Sequence, residues 1–127
     1  MMKILVVDDE PDVELLFLQK FRKEIKSSDL SFQFALNGKD AIGFLKTLNP
    51  FDLVLVLSDI NMPGMSGLEL LKIIRTDFPD LRVMMVTAYG DENNYQSAMK
   101  LGAHDFITKP VDFSLIRERI KQIRQMQ

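Results

Sequence analysis

Five short apolar runs, each followed by a stretch with helical spacing, constrain this chain more than any other feature of its sequence. The runs cover residues 3–8, 32–36, 53–59, 82–88 and 105–108. Ile4-Leu5-Val6-Val7, Leu53-Val54-Leu55-Val56-Leu57 and Val83-Met84-Met85-Val86 are apolar without alternation. A strand wetted on one face alternates, whereas one covered on both faces does not, and that is the pattern of a parallel sheet. The β-branched content and the bounding turn residues favour strands over short buried helices.

The intervening segments carry the helical period. Pro11 suits the first turn of a helix in which Val13, Leu16, Phe17, Phe21 and Ile25 recur at helical spacing. Asn37 or Gly38 opens a second, with Ala41, Phe44, Leu45 and Leu48 apolar, and Asn49-Pro50 stops it. Ser66-Gly67 precedes Leu68, Leu71 and Ile74 in a third, closed by Pro79. A weakly amphipathic fourth, over residues 92–101, carries Tyr95, Ala98 and Met99 and ends at Gly102. The last begins near Phe113 and sets Ile116, Ile120 and Ile123 among charged residues, its end (117–127) reading as a solvated helix over the sheet.

Strand and helix therefore alternate five times in 127 residues, with no repeat, linker or low-complexity segment. The expected fold is α/β: one domain, 1–127, a doubly wound five-stranded parallel sheet with right-handed crossovers and helices on both faces.

In such a sheet the ligand site lies beyond the carboxyl ends of the strands. The first run ends in Asp8-Asp9, the third in Asp59, the fourth in Thr87 and the fifth in Lys109-Pro110. Singly, each has an ordinary structural use. Asp9 or Glu10 could cap the first helix, Asp59 could start the turn Asn61-Met62-Pro63-Gly64, Thr87 could be a strand-end hydroxyl and Lys109 a solvated charge. Together, four strands deliver them to one edge. Three carboxylates converging there repel, by roughly 4 kcal/mol for two charges about 4 Å apart at an effective dielectric near 20. A hard divalent cation relieves this, and Mg²⁺ (or Mn²⁺) often completes its oxygen shell with phosphate. Lys109 and Thr87 add a positive charge and a hydroxyl donor, a clamp suited to a phosphoryl group.

Composition narrows the alternatives. The chain has no cysteine and one histidine, which excludes disulfide frameworks and most zinc chemistry. A net charge of −2 gives no bulk attraction to nucleic acid or membrane, and 4–7 is too short a run to span a bilayer. The expectation is a cytoplasmic protein.

The segments Leu5-Val6-Val7-Asp8-Asp9-Glu10, Ser58-Asp59-Ile60-Asn61-Met62-Pro63-Gly64-Met65-Ser66-Gly67, Val86-Thr87-Ala88 and Phe106-Ile107-Thr108-Lys109-Pro110, in that order, resemble the receiver domain of two-component response regulators. The resemblance covers residues 3–123 and implies a flavodoxin-like (βα)5 sheet of strand order 2-1-3-4-5. It implies that Asp59 is the phosphoacceptor, attacking a phosphohistidine on a sensor histidine kinase or a histidine phosphotransfer protein. It makes Asp9 a direct Mg²⁺ ligand and Asp8 a ligand through water, with a carboxylate oxygen of Asp59 and the backbone carbonyl of Asn61 completing the protein's share. Thr87 and Lys109 would grip phosphoryl oxygens, the bond before Pro110 would be cis, and Thr87 with Phe106 would form the switch. As Phe, residue 106 has no hydroxyl, so packing alone would drive its rotation.

By the same resemblance, the fourth helix, fifth strand and last helix form the partner surface. The protein would be a signalling switch that catalyses only its own phosphorylation and dephosphorylation. Its downstream partner is unspecified, no output domain follows within the chain, and either a monomer or a phosphorylation-dependent dimer is open. Ser58 departs from the apolar residue or Asp expected before the acceptor, and Val111-Asp112 after Lys109-Pro110 weakens a symmetric dimer through this face. Asn61 and Tyr89 stand where the family tunes dephosphorylation. Three rivals remain: a phosphatase with an Asp nucleophile, which needs an acid where Asn61 stands; a flavin module, for which Asp8-Asp9-Glu10 is a poor phosphate loop; and a receiver-like interaction domain that takes no phosphate.

Overall fold

The computed structural model describes residues 2–49, 52–87 and 92–125. Expectations resting on Pro50, Ala88, Tyr89, Met126 and Gln127 lie outside the described residues. The elements run β1 (Met2–Val7), α1 (Asp12–Lys20), α2 (Arg22–Lys26), β2 (Leu30–Ala35), α3 (Gly38–Leu45), β3 (Leu53–Asp59), α4 (Gly67–Asp77), β4 (Arg82–Thr87), α5 (Glu92–Lys100), β5 (Asp105–Thr108) and α6 (Phe113–Gln125).

All strand pairs are parallel and their order is β2-β1-β3-β4-β5, as the resemblance implies. The unalternating runs are explained by two cores, one on each face. Leu5, Val7, Val56, Val83 and Met85 pack on one side with Ala41 and Leu45 of α3, Leu70, Leu71 and Ile74 of α4, and Ala98 of α5. Ile4, Val6, Leu55, Leu57, Met84 and Val86 pack on the other with Phe17, Phe21, Ile116, Ile120 and Ile123. Successive residues of the runs 4–7, 54–57 and 83–86 thus serve opposite layers, so those runs are apolar without alternation.

Local signals set the helix starts. Asn37 caps α3 by accepting from the Asp40 amide at 2.8 Å, and Ser66 caps α4 by accepting from the Glu69 amide at 3.2 Å.

One expectation is corrected. The helical period from Pro11 through Ile25 forms two helices, interrupted at Phe21 (φ −109°, ψ 24°). The break coincides with contacts from far away in sequence. Arg117 of α6 donates to the Lys20 carbonyl at 2.5 Å, ion-pairs with Glu24 at 2.8 Å and lies 4.8 Å over the Phe21 ring. That guanidinium takes a carbonyl in the last turn of α1 and holds fully buried Phe21 among Phe17, Phe32 and Phe113.

The register positions the chemistry. Val7 lies opposite both Ala35 and Ser58, Asp59 opposite Val86, and Thr87 opposite Thr108. The residues that end β1, β3, β4 and β5 therefore share one edge.

Candidate functional site

At that edge Asp8, Asp9 and Asp59 each present a carboxylate oxygen, all within 4.8 Å of one another. Asp8 and Asp59 are buried, at 8% and 7% exposure, while Asp9 is half-exposed. Lys109 reaches in from the loop after β5, with Nζ 3.1 Å from Asp59 Oδ2 and 3.6 Å from Asp8 Oδ2. Its amide donates to the Thr87 carbonyl at 2.7 Å, and the Lys109–Pro110 bond is cis. Asp8 is held from both sides, its amide donating to the Ala35 carbonyl at 3.1 Å and its Oδ1 accepting from the Glu10 amide at 3.0 Å.

Electrostatics follow from this crowding. Burial pushes the Asp8 carboxyl above its ordinary value, against the opposing pull of the Glu10 amide and Lys109, and the Asp59 charge adds to the rise. For Lys109 burial acts downward, but the hydrogen bond to Asp59 and the charges of Asp59, Asp8 and Glu10 outweigh it and raise the ammonium. The site thus keeps one cation clamped between two buried carboxylates, with a third carboxylate beside it. Three hard oxygen donors at this spacing, only partly neutralised by one lysine, fit a divalent cation that retains water ligands.

The structure brings Asp8, Asp9, Asp59 and Lys109 into mutual reach. Thr87 lies at the same edge, fully buried, and its Oγ1 has no hydrogen-bond partner among the described residues. A buried hydroxyl without a partner is costly unless something arrives to use it. Asn61 is exposed two residues beyond Asp59. Phe106 is half-buried, its ring edge-on to Tyr95 of α5 at 5.0 Å. Neither Asp9 nor Glu10 caps α1, whose N-cap is Pro11 with no side-chain bond. Ser58 is buried and donates to the Asp59 carbonyl at 3.0 Å, which satisfies its hydroxyl within the strand.

Gly67, which sequence reasoning reads as a helix start and as the end of the receiver-like segment 58–67, makes a close backbone approach that neither reading specifies. A Cβ there would lie 2.0 Å from the Asp59 carbonyl oxygen and 2.7 Å from Ile60 Cα. The Gly67 amide donates to the Ile60 carbonyl at 2.7 Å and the Ile60 amide to the Val86 carbonyl at 3.1 Å. The loop from Asp59 to α4 is thereby closed against the sheet, and only glycine allows that approach. An apolar cleft of about 330 Å³, lined by Val13, Leu16, Phe17, Val86, Pro110 and Phe113 among others, opens beside Asp8, Asp59 and Lys109.

The family model described as response regulator receiver domain matches residues 4–121. Sporulation initiation phosphotransferase F of Bacillus subtilis is 38% identical over 120 residues, 94% of this chain and 91% of that protein. Response regulator protein PilR of Pseudomonas aeruginosa is 41% identical over 119 residues; these are 93% of this chain but only 25% of PilR, so the chain spans about a quarter of that relative. Among solved structures, response regulator TrrA from Thermotoga maritima in complex with Mg²⁺-BeF matches with a TM-score of 0.77 and 32% identity, over 96% of this chain and 98% of that one.

Proposed function

Since the chain belongs to the response regulator receiver family, we propose that Asp59 is its phosphoacceptor, served by Asp8, Asp9, Thr87 and Lys109. The protein is a phosphorylation switch whose acidic pocket suits Mg²⁺-dependent phosphorylation of an aspartate, not a turnover enzyme. One observation carries the assignment to Asp59: it is the buried carboxylate that both joins the three-acid cluster and accepts from Lys109 at 3.1 Å.

In the proposed step an Asp59 oxygen attacks the phosphorus of a phosphohistidine on a sensor histidine kinase or phosphotransfer protein. The P–N bond breaks, the imidazole leaves, and an acyl phosphate remains on Asp59. Mg²⁺, when bound, neutralises charge on the transferring oxygens. Asp9 would hold it directly, Asp8 through water, with an Asp59 oxygen and the Asn61 carbonyl completing the protein's share. Lys109, released from Asp59, would turn to a phosphoryl oxygen, and the Thr87 hydroxyl would take another. TrrA is solved in complex with Mg²⁺-BeF, and the Bacillus subtilis relative is named a phosphotransferase; both agree with this chemistry.

Movement of Thr87 toward the phosphoryl group would free space for Phe106 and alter the face formed by α5, β5 and α6, where Tyr95 and Met99 are exposed. Residues 1–127 are read as one receiver unit. Among the described residues no helix is long and apolar enough to cross a membrane. Incubation with phosphoramidate or acetyl phosphate, followed by intact mass spectrometry, tests the proposal. A single phosphoryl adduct is expected only with Mg²⁺ and only with Asp59 present. An adduct retained in Asp59→Asn, or none in the wild type, would reject Asp59 as the acceptor.

A further inference from the structure

Gly38 is buried in the first turn of α3, in ordinary helical backbone where alanine is the better helix former. Its lack of a side chain answers a spatial need. A Cβ at residue 38 would lie 2.5 Å from Met65 Sδ, 3.1 Å from its Cγ and 3.2 Å from its Cβ. Met65 belongs to the loop that leaves Asp59 and is half-buried against the α3 and α4 side of the core.

That loop is held at its ends by the Ile60–Val86 and Gly67–Ile60 hydrogen bonds, and buried Met62 anchors its first half. Pro63 restricts the chain and Gly64, at φ 75°, turns it back, so the second half rests on α3 through Met65. Asn61, whose carbonyl is the proposed metal ligand, lies in the same short closed loop.

We infer that the nesting of Met65 on Gly38 is a positioning contact that sets the height of this loop and so tunes metal affinity. The inference rests on the Mg²⁺ reading above. Gly38 and Met65 touch neither metal nor phosphoryl group; they act through the loop backbone. The Met65 sulfur could swing away from an added methyl group. Its Cγ can follow by rotation about the Cα–Cβ bond, but its Cβ, fixed by the backbone and 3.2 Å from the added group, gives way only if the loop backbone moves by a few tenths of an ångström. Metal sites respond to displacements of that size, and losses of outer positioning contacts typically lower affinity about 10- to 100-fold.

The test is a double-mutant cycle in Mg²⁺ affinity, measured by isothermal titration calorimetry, with the stability of each metal-free variant followed by circular dichroism in EDTA. Gly38→Ala is expected to weaken Mg²⁺ binding about tenfold while remaining folded. In a Met65→Gly background, which removes the Cβ as well as the rest of the side chain, the same substitution is expected to change affinity by less than about twofold, because the clash is gone. A uniform structural defect would instead lower metal-free stability and leave the affinity ratio alone. Gly38→Ala binding Mg²⁺ like the wild type, or costing as much without Met65 as with it, overturns the inference while leaving the Mg²⁺ reading intact. A wild type that binds no Mg²⁺ overturns both.

Discussion

Neutralising Asp9 is expected to stabilise the metal-free protein while abolishing its response to Mg²⁺. Asp9 presents its carboxylate within 4.8 Å of both Asp8 and Asp59, and among the described residues it makes no ion pair with Lys109. Asp9→Asn thus removes two repulsions and no described attraction. At 4.8 Å each repulsion is about 0.9 kcal/mol at the dielectric of water and about 3.5 kcal/mol at an effective dielectric of 20. Asp9 is half-exposed, and salt screens it, so the sum stays near the aqueous limit, about 1–2 kcal/mol. For a domain of this size that is a rise in Tm of about 4–8 °C. The assay is thermal denaturation followed by far-ultraviolet circular dichroism, in EDTA and in saturating MgCl2. The wild type gains stability when Mg²⁺ binds the folded state, and Asp9→Asn gains none. A variant no more stable than wild type in EDTA, or one retaining the full Mg²⁺-dependent rise, would refute the reading of Asp9 as a ligand held in a repulsive cluster.

Other outcomes follow from the same geometry. Gly67→Ala drives a methyl group into the Asp59 carbonyl, which as backbone cannot swing aside, and should cost at least about 2 kcal/mol in urea denaturation; an unchanged midpoint would contradict the close approach. Thr87→Val replaces a buried hydroxyl that has no partner among the described residues and should stabilise the unphosphorylated protein by about 1 kcal/mol. A loss of stability there would mean that the hydroxyl is already satisfied. The His104 Nδ1 accepts from the Val83 amide at 3.1 Å, and burial, then the charges of Arg75 and Arg82, hold its imidazole below the ordinary 6.5. The unfolded chain therefore binds this proton more readily. The His104 contribution is fully present above 6.5 and is lost as pH falls from there through the lower folded value. Urea stability of wild type and His104→Gln across that window should differ in slope, and parallel profiles would remove His104 from the account.

Much of the architecture is legible in the residues alone. Runs 53–59 and 105–108 coincide with β3 and β5, because unbroken apolar stretches bounded by turn residues have few other uses. The chemistry of the edge is legible too. Parallel strands bring their carboxyl ends together, so the residues following β1, β3, β4 and β5 must be neighbours wherever the register is in step. The break at Phe21 is not legible, since Val13, Leu16, Phe17, Phe21 and Ile25 keep one helical period across it. At the break Arg117 takes the Lys20 carbonyl, a contact between residues 97 apart.

The two glycines divide in the same way. Ser66-Gly67 reads as a helix start, and Gly38 as a residue opening α3. That each leaves room for a particular atom, the Asp59 carbonyl oxygen at one and the Met65 side chain at the other, depends on how separate elements dock. By itself the sequence determined the order of elements, the covered faces of the sheet and the kinds of group at its active edge, because periodicity and chain order control face and edge. Only the tertiary structure decided that Lys109 bridges Asp8 and Asp59, that the Thr87 hydroxyl lies buried with no partner among the described residues, and that Phe106 meets Tyr95 edge-on. Those outcomes turn on ångström separations, to which charge pairs and packing are steeply sensitive and hydrophobic patterning is not.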